Sequence, residues 1–107
     1  MPEFEAITGR YFTMEVAGKS CRIYVEEAGE GIPLVCLHTA GSDARQYRHL
    51  LCDKAITDNY RVIAFDMPWH GKSNPPAGFR EAEYKLTTDL YKETVMAFCR
   101  AYELVDP

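Results

Sequence analysis

The sequence predicts an α/β domain in which parallel strands are covered by helices. Two short and mainly apolar runs, residues 34–37 and 61–65, are typical of strands that are buried on both faces of a sheet. The segment between them, residues 43–57, has helical spacing. A strand, a helix and a second strand in this order form a βαβ unit, whose strands are parallel.

Size and composition are those of one globular domain, or of part of one. The 107 residues are 47% hydrophobic and 12% aromatic, and the net charge is −4. Lys and Arg are scattered, which argues against a nucleic-acid partner because phosphate binding needs a concentrated basic face. No apolar segment reaches the length of about 18 residues that a membrane span needs, and no secretory signal is visible at the start. We therefore expect no membrane association and a cytoplasmic location.

The four cysteines are isolated from one another, and no Cys-x-x-Cys spacing occurs. The absence of this spacing argues against a disulfide framework or a zinc site. We interpret Cys21, Cys36, Cys52 and Cys99 as reduced and mostly buried thiols, as is usual in a cytosolic protein. Neither a metal nor a cofactor is expected.

The first predicted element is a β-hairpin. Residues 11–16 and residues 21–25 both alternate between apolar and polar side chains, so each strand has one buried face. Residues 17–20 supply the turn between them. Residues 26–33 contain two glycines and a proline and predict a loop before the first apolar strand.

A loop of small residues, 38–42, separates the strand at 34–37 from the helix at 43–57. Asp43 stands three residues before Gln46, which resembles a capping box at the start of this helix. An apolar stripe then follows at Tyr47, Leu50, Leu51 and Ala55. A strand, a tight loop and a helix in this order place backbone N–H groups where anions and oxyanions bind.

The second apolar strand ends at Asp66 and is followed by a loop rich in proline and glycine. Its Gly71-Lys72-Ser73 sequence resembles the end of a P-loop, but that motif requires Gly where Asp66 stands. Pro75 and Pro76 also argue against a helix at this point. A nucleotide-binding domain is therefore a disfavoured alternative. Residues 84–102 have helical spacing, and residues 103–107 look like the lead into another strand near Val105.

Together, the two loops resemble those of the α/β-hydrolase family. Residues 37–41, Leu-His-Thr-Ala-Gly, are similar to the His-Gly segment after the third strand of that family. Residues 65–73, Phe-Asp-Met-Pro-Trp-His-Gly-Lys-Ser, are similar to its Asp-x-Pro-Gly-x-Gly-x-Ser segment after the fourth. The resemblance covers about residues 11–107. Thr39 and Trp69 depart from the family pattern, which has Gly at both positions.

The resemblance implies that residues 1–107 are the N-terminal part of a single α/β-hydrolase domain, incomplete as given. The parent protein would be a serine-type, esterase-like hydrolase that cleaves an ester, thioester or carbon–carbon bond. No Gly-x-Ser-x-Gly occurs in the sequence, so the nucleophile, the acid and the base would lie outside it. This chain alone is therefore expected to be inactive.

The resemblance also implies a site. In the family, the loop after the third strand supplies one donor of the oxyanion hole, and by motif position the donor is the N–H of Ala40, with Thr39 as the alternative. His38, Gly41 and Trp69 are the expected substrate-side residues. His38 would shape the loop and would not act as the general base.

Four further polar residues have structural interpretations. In the family, the residue at Asp66 ties down the backbone of its own loop, and the hydroxyl of Ser73 is expected to bond to nearby backbone. Ser42 is interpreted as a helix cap, and His70 as part of the loop or of the pocket rim.

The expected partner is a small-molecule ester-like or acyl substrate. In the family, the fifth strand pairs with the third, so the strand at 34–37 would leave a bare apolar edge. Such an edge pairs readily with another strand, which predicts association with the missing C-terminal portion or self-association. The alternative function is a non-catalytic, hydrolase-derived binding module.

Overall fold

The computed structural model describes residues 2–39, 41–74 and 87–107. In these residues, four strands form one sheet in the order β1-β2-β4-β3. Neighbouring strands are antiparallel except β3 and β4, which are parallel. The predicted hairpin and the predicted parallel pair are therefore confirmed. The strands are β1 Thr8–Val16, β2 Lys19–Ala28, β3 Ile32–Cys36 and β4 Tyr60–Phe65.

The hairpin is longer than the alternation of side chains predicts. β1 and β2 pair from Thr8 opposite Glu27 to Val16 opposite Lys19, and only Ala17 and Gly18 remain for the turn. The predicted loop at 26–33 is wrong at both ends, because β2 continues to Ala28 and pairs with β4, and β3 begins at Ile32. This pairing is a tertiary interaction and outweighs the low strand propensity of the two glutamates.

The predicted helix at 43–57 is broken into three short pieces. At the break, Asp53 has an extended backbone (φ −88°, ψ +107°), and its carboxylate accepts the N–H of Ala55 at 3.0 Å. Asp competes with helix formation through such local hydrogen bonds. The pieces are a 3₁₀ helix Ala44–Tyr47, α1 Arg48–Cys52 and α2 Lys54–Thr57.

The start of the 3₁₀ helix also differs from the prediction. Asp43, and not Ser42, is its N-cap, and the Asp43 carboxylate accepts the N–H of Arg45 at 2.9 Å. The same carboxylate forms an ion pair with the Arg45 side chain. The Asp43 half of the predicted capping box is confirmed, but the Gln46 half is wrong, because the Gln46 side chain bonds to Thr39 instead.

The core has two parts, one on each face of the sheet. β4 contributes to both, because successive side chains of a strand point to opposite faces: Ile63 and Phe65 belong to one cluster, and Val62 and Ala64 to the other. The helix α3, Thr88–Ala101, covers the first cluster. Its Phe98 stacks on Phe65 with ring centroids 3.9 Å apart. The short helices cover the second cluster.

The helix α3 begins at Thr88, and the side chain of the preceding residue, Thr87, caps it by accepting the N–H of Leu90. The first residues of the predicted helix, 84–86, lie outside the described residues. Residues 103–107 form turns and irregular structure, and no strand begins at Val105 within them. Thus α3 agrees with the predicted helix where the two can be compared.

All four cysteines have free thiols. Cys21 and Cys36 are buried and Cys99 is half-buried, whereas Cys52 is exposed. The expectation of mostly buried thiols therefore fails at Cys52, which lies on the outer side of α1. Burial raises the pKa of the Cys21 and Cys36 thiols, so both favour the protonated form.

A charged cluster joins three strands to the end of α3. The Glu27 side chain on β2, 15% exposed, accepts hydrogen bonds from Arg61 on β4 at 2.7 Å and from Arg10 on β1 at 2.9 Å. Tyr102 donates a third, from just beyond α3. Burial alone would raise the pKa of Glu27, but these hydrogen bonds outweigh it and lower the pKa to about 2.

The cluster makes stability depend on pH in a defined window. The ordinary pKa of Glu27 is 4.5 and the folded value is about 2, so its contribution is present above pH 4.5 and is lost as the pH falls towards 2. We expect a loss of about 2 kcal/mol, allowing for the exposure of Arg10. Urea denaturation from pH 7 to pH 2.5 measures it. Glu27→Gln is the control, and an equal loss in both proteins would contradict the assignment.

Candidate functional site

Two loops meet at one end of the sheet. The β3 loop, residues 37–43, and the β4 loop, residues 66–74, follow parallel strands that are direct neighbours. The carboxyl ends of neighbouring parallel strands lie side by side, which is where ligands of α/β proteins bind. Ala40, the first predicted donor, lies outside the described residues.

His38 joins the two loops. It is buried, its Nε2 accepts the N–H of Met67 at 3.0 Å, and its Nδ1 lies 2.9 Å from the carbonyl oxygen of Thr39. A ring nitrogen that accepts a hydrogen bond carries no proton, so the ring is neutral and its proton is on Nδ1. Both nitrogens are therefore engaged with backbone. This geometry suits a residue that shapes the loops and does not suit a general base.

Asp66 makes a second link between the loops. Its carboxylate is buried, with one oxygen accepting the N–H of Lys72 and the other the N–H of Ala44, both at 2.7 Å. Hydrogen bonds to an ionised acceptor are the stronger kind. The bond to Lys72 lies within the β4 loop, as the sequence predicts. The bond to Ala44 fixes the start of the 3₁₀ helix and was not predicted.

Ser73 is bonded to backbone on both sides. Its buried hydroxyl donates to the carbonyl oxygen of Asp66 at 2.6 Å and accepts the N–H of Tyr24 at 2.9 Å. The interpretation of Ser73 as a locally bonded hydroxyl is confirmed, and the link to β2 is new. A hydroxyl held in this way does not have the setting of a nucleophile.

Two residues of the β4 loop have left-handed backbone. Gly71 has φ +51°, and a Cβ there would come within 2.3 Å of Asp66 Oδ2. Trp69 is half-buried and has φ +73°, a conformation that glycine adopts without strain and other residues rarely do. This conformation gives a physical reason for the glycine that the family pattern has at the position of Trp69.

Thr39 has an engaged amide. Its N–H donates to Gln46 Oε1 at 2.9 Å, and its hydroxyl donates to the same oxygen at 3.2 Å. Of the two predicted oxyanion donors, Thr39 is therefore already used within the protein. Gly41 is exposed with φ +77°, and a Cβ there would meet nothing within 4 Å.

His38 also contacts His70 of the β4 loop, a contact that the sequence does not indicate. The rings of His38 and His70 have centroids 4.9 Å apart, and Nδ1 of His70 lies 3.0 Å from the carbonyl oxygen of Pro68. His70 is thus part of the loop structure, as interpreted from the sequence. Gln46 and Asp66, by contrast, hold the β3 loop through contacts that no sequence signal indicates.

A cleft of about 270 Å³ lies on the β2 side of the two loops. Tyr24 and Lys72 form part of its wall, with the Lys72 ammonium 4.7 Å from the centre of the Tyr24 ring. Asp66 also lines it. Of the predicted site residues that the structure describes, His38, Thr39, Gly41 and Trp69, none lines this cleft.

The described residues contain neither a candidate metal cluster nor a candidate membrane span. Over residues 2–39, 41–74 and 87–107, no three His, Cys, Asp or Glu side chains are grouped in a way that could hold a metal ion. In the same part of the chain, no helix has the length and apolar character of a membrane span.

Comparison with known proteins finds hydrolases. No family model matches the sequence. Over 76 residues it is 37% identical to the 2-hydroxy-6-oxononadienedioate/2-hydroxy-6-oxononatrienedioate hydrolase of Escherichia coli strain K12 / DH10B. The matched segment is 68% of this chain and 26% of that relative.

Solved structures agree with this match. A mutant of the N-acyl homoserine lactonase AidH superimposes with a TM-score of 0.70 and 28% identity, over 91% of this chain and 34% of that one. An epoxide hydrolase from Vigna radiata gives a TM-score of 0.67 and 23% identity, over 90% and 29%. The chain thus spans about a quarter to a third of the proteins that it matches.

Proposed function

Because this chain belongs to the α/β-hydrolase fold family, we propose that it is the N-terminal part of a hydrolase and supplies its oxyanion-hole loop. The observation that carries this proposal is the pair of loops at the ends of β3 and β4, held together by His38 and Asp66. The rest of the polypeptide would supply a serine in Gly-x-Ser-x-Gly, its general base and its acid.

The proposed donor is the N–H of Ala40. Thr39 is the weaker candidate, because its own N–H is bonded to Gln46. The carbonyl of Thr39 accepts hydrogen bonds from the N–H of Ser42 at 3.0 Å and from Nδ1 of His38 at 2.9 Å. These bonds fix Thr39, the residue directly before the proposed donor.

The proposed reaction is hydrolysis of an ester, a thioester or a carbon–carbon bond in a small molecule. Attack by the serine on a carbonyl would place negative charge on its oxygen, and the loop N–H would stabilise that charge. His38, Gly41 and Trp69 are proposed to lie on the substrate side. A 2-hydroxy-6-oxo acid of the kind named for the curated relative is a first substrate to test, beside a simple ester.

Turnover by the natural polypeptide tests this proposal. We expect it to hydrolyse 4-nitrophenyl acetate or a 2-hydroxy-6-oxo acid, and we expect residues 1–107 alone to hydrolyse neither. A natural polypeptide that hydrolyses neither compound, and binds them without change, would instead favour the hydrolase-derived binding module.

We also propose that the rest of the protein pairs with the open edge of β3. Among the described strands, β3 pairs only with β4. The N–H of Ile32 points to the β4 side, where it donates to the carbonyl of Asn59, the residue directly before β4. By alternation, Val35 presents its N–H and C=O to the open edge, whereas Pro33 has no N–H to offer. Ile32 adds an apolar side chain that is 60% exposed.

Residues 1–107 alone are therefore expected to self-associate through this edge. Light scattering at about 100 µM should give the mass of a dimer or a larger species. Ile32→Lys should lower that mass, because a charge on an edge strand opposes pairing. Phe4→Lys is the matched control, since Phe4 is 91% exposed and lies outside the strands. A stable monomer of the unaltered chain would contradict the expectation.

A further inference from the structure

Thr39 is exposed, yet each of its polar groups has a partner in the protein. Its N–H and its hydroxyl both donate to Gln46 Oε1, at 2.9 and 3.2 Å. Its carbonyl accepts from the N–H of Ser42 and from Nδ1 of His38. A loop residue in contact with solvent can leave such groups to water. In Thr39, hydrogen bonds within the protein instead fix the directions of the N–H, the carbonyl and the hydroxyl.

Gln46 makes two of the four bonds and stands on a fixed support. It lies in the 3₁₀ helix, and its own N–H donates to the carbonyl of Asp43 at 3.1 Å. The hydroxyl of the next residue, Tyr47, donates to the carbonyl of Leu37 at 2.6 Å. The helix start is held by Asp66 through the N–H of Ala44. The Gln46 side chain therefore reaches the β3 loop from an element that is itself bonded to both loops.

We propose that Gln46 is a positioning residue of the oxyanion loop. Its Oε1 accepts both donors of Thr39, which holds the Thr39 N–H within the protein and fixes the residue before the proposed donor. This inference rests on the proposed function. It requires only an acceptor oxygen at the end of the side chain, so glutamate can replace Gln46 and methionine, which has nearly the same length, cannot.

Amide hydrogen exchange of Thr39 in the natural polypeptide tests the contact itself. Gln46→Met is expected to speed exchange of the Thr39 N–H by about fivefold to tenfold, the equivalent of one lost hydrogen bond. Gln46→Glu is expected to keep the slow exchange. Unchanged exchange in Gln46→Met would overturn the inference, whatever the activity of the protein.

Kinetics test the positioning role. With 4-nitrophenyl acetate as the probe, Gln46→Met is expected to lower kcat by about tenfold and to leave KM within about twofold. Gln46→Glu should recover kcat in part, because the carboxylate keeps the acceptor oxygen but adds a negative charge near the developing oxyanion. A purely structural role would not give this division between kcat and KM together with partial rescue by glutamate.

The outcomes separate the inference from the proposed function. If exchange speeds up in Gln46→Met but kcat does not fall, the positioning role is overturned and the proposed function stands. If the unaltered polypeptide turns over neither 4-nitrophenyl acetate nor a 2-hydroxy-6-oxo acid, the proposed function fails and takes the positioning role with it. Faster exchange that glutamate reverses, together with a lower kcat that glutamate recovers in part, supports the inference.

Discussion

Replacing Ala40 by proline is expected to lower kcat of the natural polypeptide by about 10²–10³-fold, which corresponds to about 3–4 kcal/mol of transition-state stabilisation. Proline has no backbone N–H, so the substitution removes the proposed oxyanion donor itself. The N–H of Thr39 cannot readily take its place, because that group donates to Gln46. Steady-state hydrolysis of 4-nitrophenyl acetate measures the loss.

Proline also restricts the residue that precedes it, so the fold must be checked separately. Ala40→Ser retains the N–H and is expected to lose less than about tenfold in kcat. Circular dichroism and the thermal midpoint of both variants show whether the fold is kept. A folded Ala40→Pro protein with the kcat of the unaltered protein would mean that Ala40 is not the donor.

Replacing Asp66 by asparagine is expected to lower the free energy of unfolding by about 2–4 kcal/mol. The carboxylate offers one oxygen to the N–H of Ala44 and one to the N–H of Lys72. Asparagine has a single oxygen, so one of these N–H groups would face an NH₂ group. Asp66 is 2% exposed, so water replaces the lost acceptor poorly.

Asp58→Asn is the matched control, because it makes the same chemical change at the surface. The Asp58 side chain is 57% exposed at the C-cap of α2, and among the described residues its ion-pair partner is Lys54, so a loss below about 0.5 kcal/mol is expected. Urea denaturation at pH 7 compares the two variants. Equal losses in Asp66→Asn and Asp58→Asn would show that the link between the loops does not stabilise the fold.

The sequence predicts those parts of the fold that depend on local periodicity. Residues 61–65 form β4 because an apolar run of this length suits a strand covered on both faces. The hairpin is found because alternation marks its buried face. The helix at the end of the chain keeps its spacing over Thr88–Ala101. The order of strand, helix and strand is enough to predict the βαβ unit and its parallel strands.

Other features depend on contacts between residues that are distant in the sequence. Asp53 is a local exception: its side chain bonds to Ala55, two residues on, and breaks the helix at 43–57, although the apolar stripe continues past it. Gln46 and Asp43 have the spacing of a capping box, but in the fold the Gln46 side chain accepts the N–H of Thr39 in the β3 loop. The bond from Asp66 to Ala44 joins residues 22 positions apart. No local pattern specifies such a pair.

The central claim is that this sequence forms the oxyanion side of a serine hydrolase, and one labelling measurement tests it most directly. The natural polypeptide is treated with a fluorophosphonate, its intact mass is determined, and its peptides are sequenced by mass spectrometry. We predict a polypeptide of more than twice the mass of these 107 residues, with peptides of this chain and one labelled serine in Gly-x-Ser-x-Gly. A polypeptide with the mass of these 107 residues, with no co-purifying chain and no labelled serine, would contradict the claim.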